Sequence, residues 1–482
     1  MNPERAAMNS NPLGTHAIMI GGGMAGLITA RVLIDHFDHV TVVERDHLPD
    51  EAVQRAGVPQ ARHTHLLLLR GLRILEQLFP GLPQELAAAG AEPIVWTSQL
   101  GYYFQGHWAP RFPSDFRVYS SSRTLLETLI RCRLRQDGRI QFVDGQEVTG
   151  LLTDRPGRIT GIRMRARGGA AGTSGEDELR ATLVVDASGR ASHAPDWLMA
   201  LGYERPAETT ITAHLGYASR VYRRPPDAAD GLPYGWKGVA IGPMAPRNAR
   251  GAVLMPIEGD QWIVTLAGTN GDYPPTDEAA FLAFARSVPH PLVYDLIRHA
   301  EPLTPIAGYR RTENRQRHYE RLAQWPDNFV VLGDAVCAFN PIYGQGMTTA
   351  ALGALTLDRC LRERQAWAGA GDLTGFGQRF QRALARTNAT PWLMATGEDL
   401  RWPHSEGGRT GRLDRVMQRY FDQVTRLAMV DQEVYRAFLE VMHLVSPPRR
   451  LFQPHVVLGV VRQFLGSPRQ GTEPAVQLGM AG

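Results

Sequence analysis

Lysine is nearly absent. Of 52 basic residues only Lys237 is a lysine, and the arginines are spread along the 482 residues without forming a block. A net charge of +4 distributed in this way leaves no nucleic-acid footprint. A GC-rich coding sequence accounts for the arginine bias. Cysteine is almost as scarce: Cys132, Cys337 and Cys360 show neither Cys-x-x-Cys nor Cys/His ligand spacing, which excludes a disulfide scaffold and a zinc site. Cys337 reads as a small buried residue. No uninterrupted apolar run reaches the length of a membrane span, and no signal peptide precedes the first apolar segment. A cytoplasmic protein without a transmembrane segment is expected. There is no internal repeat.

What is present begins at His16-Ala17-Ile18-Met19-Ile20, an apolar run of strand length. It leads into Gly21-Gly22-Gly23-Met24-Ala25-Gly26 and then a helical pattern from Leu27 to Ile34. This is G-x-G-x-x-G in strand-to-helix context. Gly21 permits the tight turn, Gly23 lets a pyrophosphate approach the backbone, and Gly26 lets helix and strand pack closely. A second strand, Val40 to Val43, ends on Glu44, where an acid suits a free ribose 2′-hydroxyl and disfavours a 2′-phosphate. The ligand is therefore a dinucleotide of the FAD or NAD kind.

Residues 331–350 narrow the choice. A short strand, Phe329 to Leu332, runs into Gly333-Asp334, and a loop containing Pro341 leads to Gly344-Gln345-Gly346 and a small-residue helix from Met347. A glycine-flanked helix start presents free N–H groups and the positive end of the dipole. Asp334 cannot favour a phosphate but can accept hydrogen bonds from hydroxyls. An anionic edge together with hydroxyls describes a flavin with its ribityl chain.

The remaining pattern divides the chain. Residues 15–90, 119–204 and 316–370 read as a discontinuous FAD-binding domain, and 91–118 with 205–315 as a mostly antiparallel substrate sheet with a helical excursion at 278–300. Residues 371–446 read as a helical region. The termini, 1–14 and 447–482, read as weakly structured, the latter from Pro447-Pro448 onward. Leu183-Val184-Val185-Asp186-Ala187-Ser188-Gly189-Arg190 is a buried strand ending in an acid and a tight turn. Within the helical region Leu413, Val416, Met417, Tyr420, Phe421, Val424 and Leu427 form a stripe expected to be buried against the substrate domain, with a membrane-surface helix as the alternative.

Gly21-x-Gly23-x-x-Gly26, the Asp186–Arg190 segment, and Gly333-Asp334 with Pro341 and Gly344-x-Gly346 resemble, in that order, the group A FAD-dependent monooxygenases. The strings Val58-Pro59-Gln60-Ala61-Arg62-His63, Val253 to Glu258, Trp262 to Thr265 and Phe339-Asn340-Pro341 resemble the bacterial polyether polyketide epoxidases of lasalocid and monensin type. The resemblance implies an α/β fold: a Rossmann-like FAD-binding domain of the glutathione-reductase and aromatic-hydroxylase type, an inserted substrate sheet and C-terminal helices. It places Gly21 to Gly26, including Met24 and Ala25, under the FAD pyrophosphate, Glu44 on the adenosine ribose, Arg45 beside adenine, and the main chain of Val148 against adenine. Arg62 and Arg123 would reach the pyrophosphate or ribityl region, and Asp186, in a segment that serves both cofactor domain and reductant, would be a further cofactor-binding residue, with a structural brace of its turn as the alternative. Asp334 would bind a ribityl hydroxyl, and Pro341, Gly344, Gln345, Gly346 and Met347 would face the N1/O2 edge of the flavin, where helix N-terminal donors stabilise the anionic reduced form.

The implied reaction inserts one oxygen atom from O2 through a flavin C4a-hydroperoxide, most simply epoxidising an alkene of a hydrophobic polyketide-like intermediate in antibiotic biosynthesis. The cofactor carries the hard chemistry, so no side-chain nucleophile or base is needed, and no catalytic residue is assigned. Trp96, Phe104, Tyr217, Trp236 and Trp262 are candidate chamber walls, while His63 and His65 read as packed histidines. NAD(P)H or a separate flavin reductase would supply electrons, and a carrier protein is a further candidate partner. Hydroxylation of a phenolic metabolite is the rival. A halogenase would need an essential lysine and a Trp-x-Trp-x-Ile-Pro segment, which the chain lacks, and Lys237 is a poor stand-in. A non-catalytic flavoprotein is the reading from a different class.

Overall fold

The computed structural model describes residues 13–168, 175–226, 231–368 and 372–465. Its centre is a five-stranded sheet in the order Phe329–Val331, Leu183–Asp186, Gly14–Ile20, Phe37–Val43, Ile140–Val143. Every pair is parallel, with Ile20 in register with Val43 on one side and Asp186 on the other. Strands covered on both faces need continuous apolar runs. Ala17 to Ile20 and Leu183 to Val185 supply them, each side chain 5% exposed or less. The helices Met24–Leu33 and Gly346–Ala368 pack against each other beside this sheet.

Four of the parallel strands end, at their carboxyl ends, on residues singled out from the sequence: Gly21, Glu44, Asp186 and Gly333-Asp334. In open parallel sheets this is the edge where ligands bind. The sequence-based element boundaries shift by one to three residues, as helix and strand ends generally do. The helix expected from Leu27 begins at Met24.

A seven-stranded sheet forms the second layer, running Ala307–Tyr309, Gly216–Arg223, Gln261–Gly268, Arg250–Ile257, Gly238–Ile241, Leu100–Phe104, His107–Trp108. It is antiparallel except where Gly238–Ile241 pairs with Leu100–Phe104. Its strands show a period of two. Ala252 and Leu254, with Trp262, Val264 and Leu266, join a core that also contains Phe281 and Phe284 of the helix Glu278–Arg286. The intervening Val253, Met255, Thr265 and Ala267 face a large cavity, which Ala252 also lines. Trp236 and Trp262 lie in the first set, at 2% and 1% exposure, and are core rather than chamber wall.

Two sequence-based expectations for the C-terminal region are corrected. The helix Pro454–Leu465 lies inside the segment expected to be weakly structured. Its Val456 and Val460 are buried, and Gly459 approaches Leu427 so closely that an added Cβ would lie 2.4 Å from it. The proline pair follows the helix Gln432–Met442 and starts a short turn that leads into the next helix. The apolar stripe of the helix Arg412–Ala428 packs on the two helices that follow, not on the sheet. Val424 and Leu427 are buried, whereas Leu413 and Val416 are 73% and 60% exposed. Residues 1–12, 169–174 and 466–482 lie outside the described residues. Among the described residues no helix is long and apolar enough to cross a membrane.

Candidate functional site

The three motif glycines are required for three different reasons. Gly21 has φ +103°, and a Cβ there would lie 2.7 Å from the carbonyl oxygen of Ala187. At Gly26 a Cβ would come within 1.8 Å of the Gly21 carbonyl oxygen, so this residue permits the contact between helix and strand. At Gly23 a Cβ would meet nothing within 4 Å, because the residue faces the cavity. Gly23 is also the N-cap of Met24–Leu33 and provides no capping side chain, so the first N–H groups of that helix are left for a ligand.

Glu44 is buried and braces this turn. Its carboxylate accepts hydrogen bonds from the Gly22 N–H at 2.7 Å and the Asp46 N–H at 3.0 Å, and Arg55 lies 3.5 Å away. Arg55 in turn pairs with Glu127, which also accepts from Arg123 at 3.1 Å. Burial alone would raise the Glu127 carboxyl, but Arg123 and Arg55 hold it below its ordinary value. Arg123 opens the helix Arg123–Arg135, whose N-cap Ser122 Oγ accepts from the Leu125 N–H, and its side chain reaches the cavity wall. Arg55 and Glu127 were not anticipated from sequence.

The 331–350 segment builds the opposite wall. Gly333 and Gly344 both have φ +64°, and at Gly346 a Cβ would enter open space. Asp334 lines the cavity, with Arg190 Nε 4.0 Å from its carboxylate. The turn Pro341–Tyr343 is tied by the buried carboxylate of Asp399, the last residue of the helix Phe376–Asp399. Asp399 accepts from Asn314 Nδ2 at 2.6 Å, Asn340 Nδ2 at 3.0 Å and the Tyr343 hydroxyl at 2.6 Å. The Asn340 N–H closes the ring by donating to Asn314 Oδ1 at 2.7 Å. Burial outweighs these donors and pushes Asp399 up to about 6.

A single cavity of about 970 Å³ joins the two walls and continues between the seven-stranded sheet and the C-terminal helices. It lies at the upper end of the range for small-molecule sites, about 300–1,000 Å³. Of the sequence-selected residues, Gly21, Gly23, Met24, Ala25, Glu44 and Arg45 line one end of it. Arg123, Asp334, Pro341, Gly344, Gly346 and Met347 also line it. Five others do not. Gly26 acts through packing, and Asp186 is fully buried, accepting from the Ser188 N–H at 2.9 Å and from Ser192 Oγ. Gln345 is buried with its amide oxygen unpaired among the described residues. Arg62 is exposed and donates to Gln54, so the structure does not bring it to the cavity. Val148 is buried within the strand Gln146–Arg155, also away from it. Sequence position alone does not show which way a side chain points.

Beyond the glycine walls the cavity becomes an apolar chamber, with Trp96, Leu100, Tyr102, Phe104, Val253 and Met255 in its lining. Its histidines are held neutral. Burial pushes His443 down to about 3 and, with Arg62, His63 to about 4. Burial and Arg123 push His65 to about 3. His63 Nδ1 lies 2.8 Å from Ser219 Oγ, and His443 Nδ1 accepts the Leu69 N–H at 3.1 Å. Lys237 is away from the chamber, paired with Glu92.

The two glycine cradles, the free N–H groups at two helix starts and a hydroxyl acceptor at Asp334 fit FAD. Gly21 to Ala25 would hold the pyrophosphate, Glu44 the adenosine ribose, and Gly344 to Met347 the flavin ring.

Comparison with known proteins bears on the same assignment. A family described as an FAD binding domain matches residues 14–379. Protein Rv3254 of Mycobacterium tuberculosis is 33% identical over 438 residues, 89% of this chain and 90% of that protein. Among solved structures, PqsL of Pseudomonas aeruginosa, a probable FAD-dependent monooxygenase, superposes with a TM-score of 0.54 at 18% identity, over 80% of this chain and 98% of PqsL. The flavin-dependent halogenase CmlS gives 0.60 at 16% identity, over 89% of this chain and 76% of CmlS. A flavoprotein/dehydrogenase from Cytophaga hutchinsonii gives 0.62 at 15%, over 93% and 99%. At these identities the structural likeness speaks to the fold.

Proposed function

The chain belongs to the FAD-binding domain family, and on that premise we propose that it is an FAD-dependent monooxygenase that epoxidises an alkene of a neutral, hydrophobic, polyketide-like molecule. Bound FAD, once reduced, supplies activated oxygen. The protein's own residues hold the cofactor, orient the alkene and keep water out.

The observation that carries this reading is the chemistry of the chamber. The part of it lined by Trp96, Leu100, Tyr102, Phe104, Val253 and Met255 is aromatic and aliphatic, and the histidines and the Asp399 carboxylate beside it are unavailable as bases. A phenol hydroxylase benefits from a base matched to the working pH beside the substrate hydroxyl. Here the histidines, held down at about 3 to 4, are too weak as bases to share a phenol proton, and the Asp399 carboxylate is occupied by Asn314, Asn340 and Tyr343. Alkene epoxidation needs no such base. Halogenation is disfavoured by the position of Lys237, which donates to Glu92 at 2.5 Å and to the Pro93 carbonyl at 2.9 Å.

The test is reductant consumption by the FAD-loaded protein. With NAD(P)H, or with a flavin reductase supplied, consumption should rise on adding neutral polyene esters and remain at background with simple phenols. The opposite preference would favour the hydroxylase reading, and no turnover with any reductant would sink the monooxygenase assignment.

A further inference from the structure

Five arginines cluster where the chain passes from the edge strand Ala307–Tyr309 to the strand Asn314–Arg317, beside the Gly189–Ala191 turn. Three have partners that absorb their charge. Arg190 pairs with Glu313 at 3.0 Å, Arg317 with Glu208 at 2.8 Å, and Arg310 lies over the Tyr273 ring at 4.5 Å. The other two, Arg311 and Arg315, line the cavity. Among the described residues neither has a carboxylate within 4.0 Å. Among the described residues Arg315 donates to the Arg190 carbonyl oxygen, which also receives Arg317 at 3.5 Å, so two guanidinium groups share that oxygen. Burial, then the charges of Arg317 and Arg190, depress the Arg315 guanidinium below its ordinary value.

The overall arginine bias explains how many arginines the chain has. It does not explain why two of them line the cavity with no carboxylate of the described residues within 4.0 Å while Arg190 and Arg317 beside them are paired. Arg315 is half-buried and Arg311 exposed, and guanidinium groups on such a cavity wall gain from a multivalent anion whose oxygens their planar forks match.

We propose that Arg311 and Arg315 form a phosphate-binding pair at the cavity wall that recognises the pyrophosphate of a second ligand, distinct from FAD. The ligand's other end would reach the chamber. This rests on the flavin reading, in which the FAD pyrophosphate occupies Gly21 to Ala25 and leaves these arginines free. Two sources share the chemistry: a nicotinamide dinucleotide acting as reductant, and a coenzyme A-type carrier of the apolar substrate.

The FAD-loaded protein is titrated calorimetrically with NADP⁺, NAD⁺ and coenzyme A at low and high salt. At least one should bind, more weakly at high salt. Arg311→Ala and Arg315→Ala should each weaken that binding about tenfold, and the lysine variants less, with FAD content and visible spectrum unchanged. Binding of a dinucleotide assigns the pair to the reductant, and binding of coenzyme A to the substrate. Binding of none of the three, binding unaffected by both substitutions, or FAD affinity falling in parallel with the probe each overturns the proposal. A wild type that takes no FAD yet loses the probe on Arg311→Ala overturns the proposed function and leaves the phosphate pair standing.

Discussion

Replacing Tyr343 by Phe removes one hydroxyl from the ring that ties the flavin-facing turn to Asp399. The Tyr343 hydroxyl donates to the buried carboxylate at 2.6 Å, and Asn314 and Asn340 continue to satisfy the carboxylate when it is gone. A hydrogen bond to a charged group contributes about 1.5–3 kcal/mol. The change should therefore weaken the tether by about 2 kcal/mol without leaving the carboxylate bare. If the turn is preorganised for FAD, most of that loss appears in binding, up to about thirtyfold in Kd at about 1.4 kcal/mol per tenfold. Flavin fluorescence titration of the apoprotein, paired with urea unfolding of the same sample, measures both parts. A rise in Kd of at least about threefold is expected. If Kd is unchanged and the whole loss appears in unfolding, the Asp399 ring braces the fold and not the cofactor site, and the argument fails.

Gly346→Ala places a Cβ in open cavity, so the apoprotein should stay as stable as wild type in thermal unfolding while FAD affinity drops. Gly26→Ala, with its 1.8 Å clash, should lower both. Lys237→Met breaks a partly exposed ion pair with Glu92, so it should change stability by no more than about 1 kcal/mol and leave oxygen transfer intact; loss of turnover would reopen the halogenase reading. His443 and His63 bind protons less readily folded than unfolded, since their folded values of about 3 and 4 lie below the ordinary 6.5. Stability is therefore full above about pH 6.5 and falls as the pH drops toward those values, by about 1.4 kcal/mol per unit for each histidine. Urea midpoints measured from pH 7.5 to 5 should show this decline, and His443→Phe should flatten it.

The features legible in the sequence are those where backbone geometry dictates residue identity. Positive φ at Gly21, Gly333 and Gly344, and close backbone approach at Gly26, exclude most side chains, so glycine spacing alone located two walls of the site. Glu44 was found because a strand end fixes its position relative to those glycines. The groups that were missed depend on tertiary partners: Arg55 lies 72 residues from Glu127, and Asn314 lies 85 from Asp399. Nothing local distinguishes a buried, paired charge from one on the surface, which is also why Arg62 looked equivalent to Arg123. The helix Pro454–Leu465 was missed because Pro447-Pro448 signals the end of an element and gives no sign that another begins beyond it.

The central claim, that this chain uses FAD and O2 to place one oxygen atom on an apolar alkene, is tested most directly by isotope tracing. Turnover of a panel of neutral polyene esters under ¹⁸O₂ in unlabelled water should give an epoxide carrying one ¹⁸O atom. Product oxygen drawn from water, or label found only in hydrogen peroxide with every alkene recovered unchanged, would contradict it.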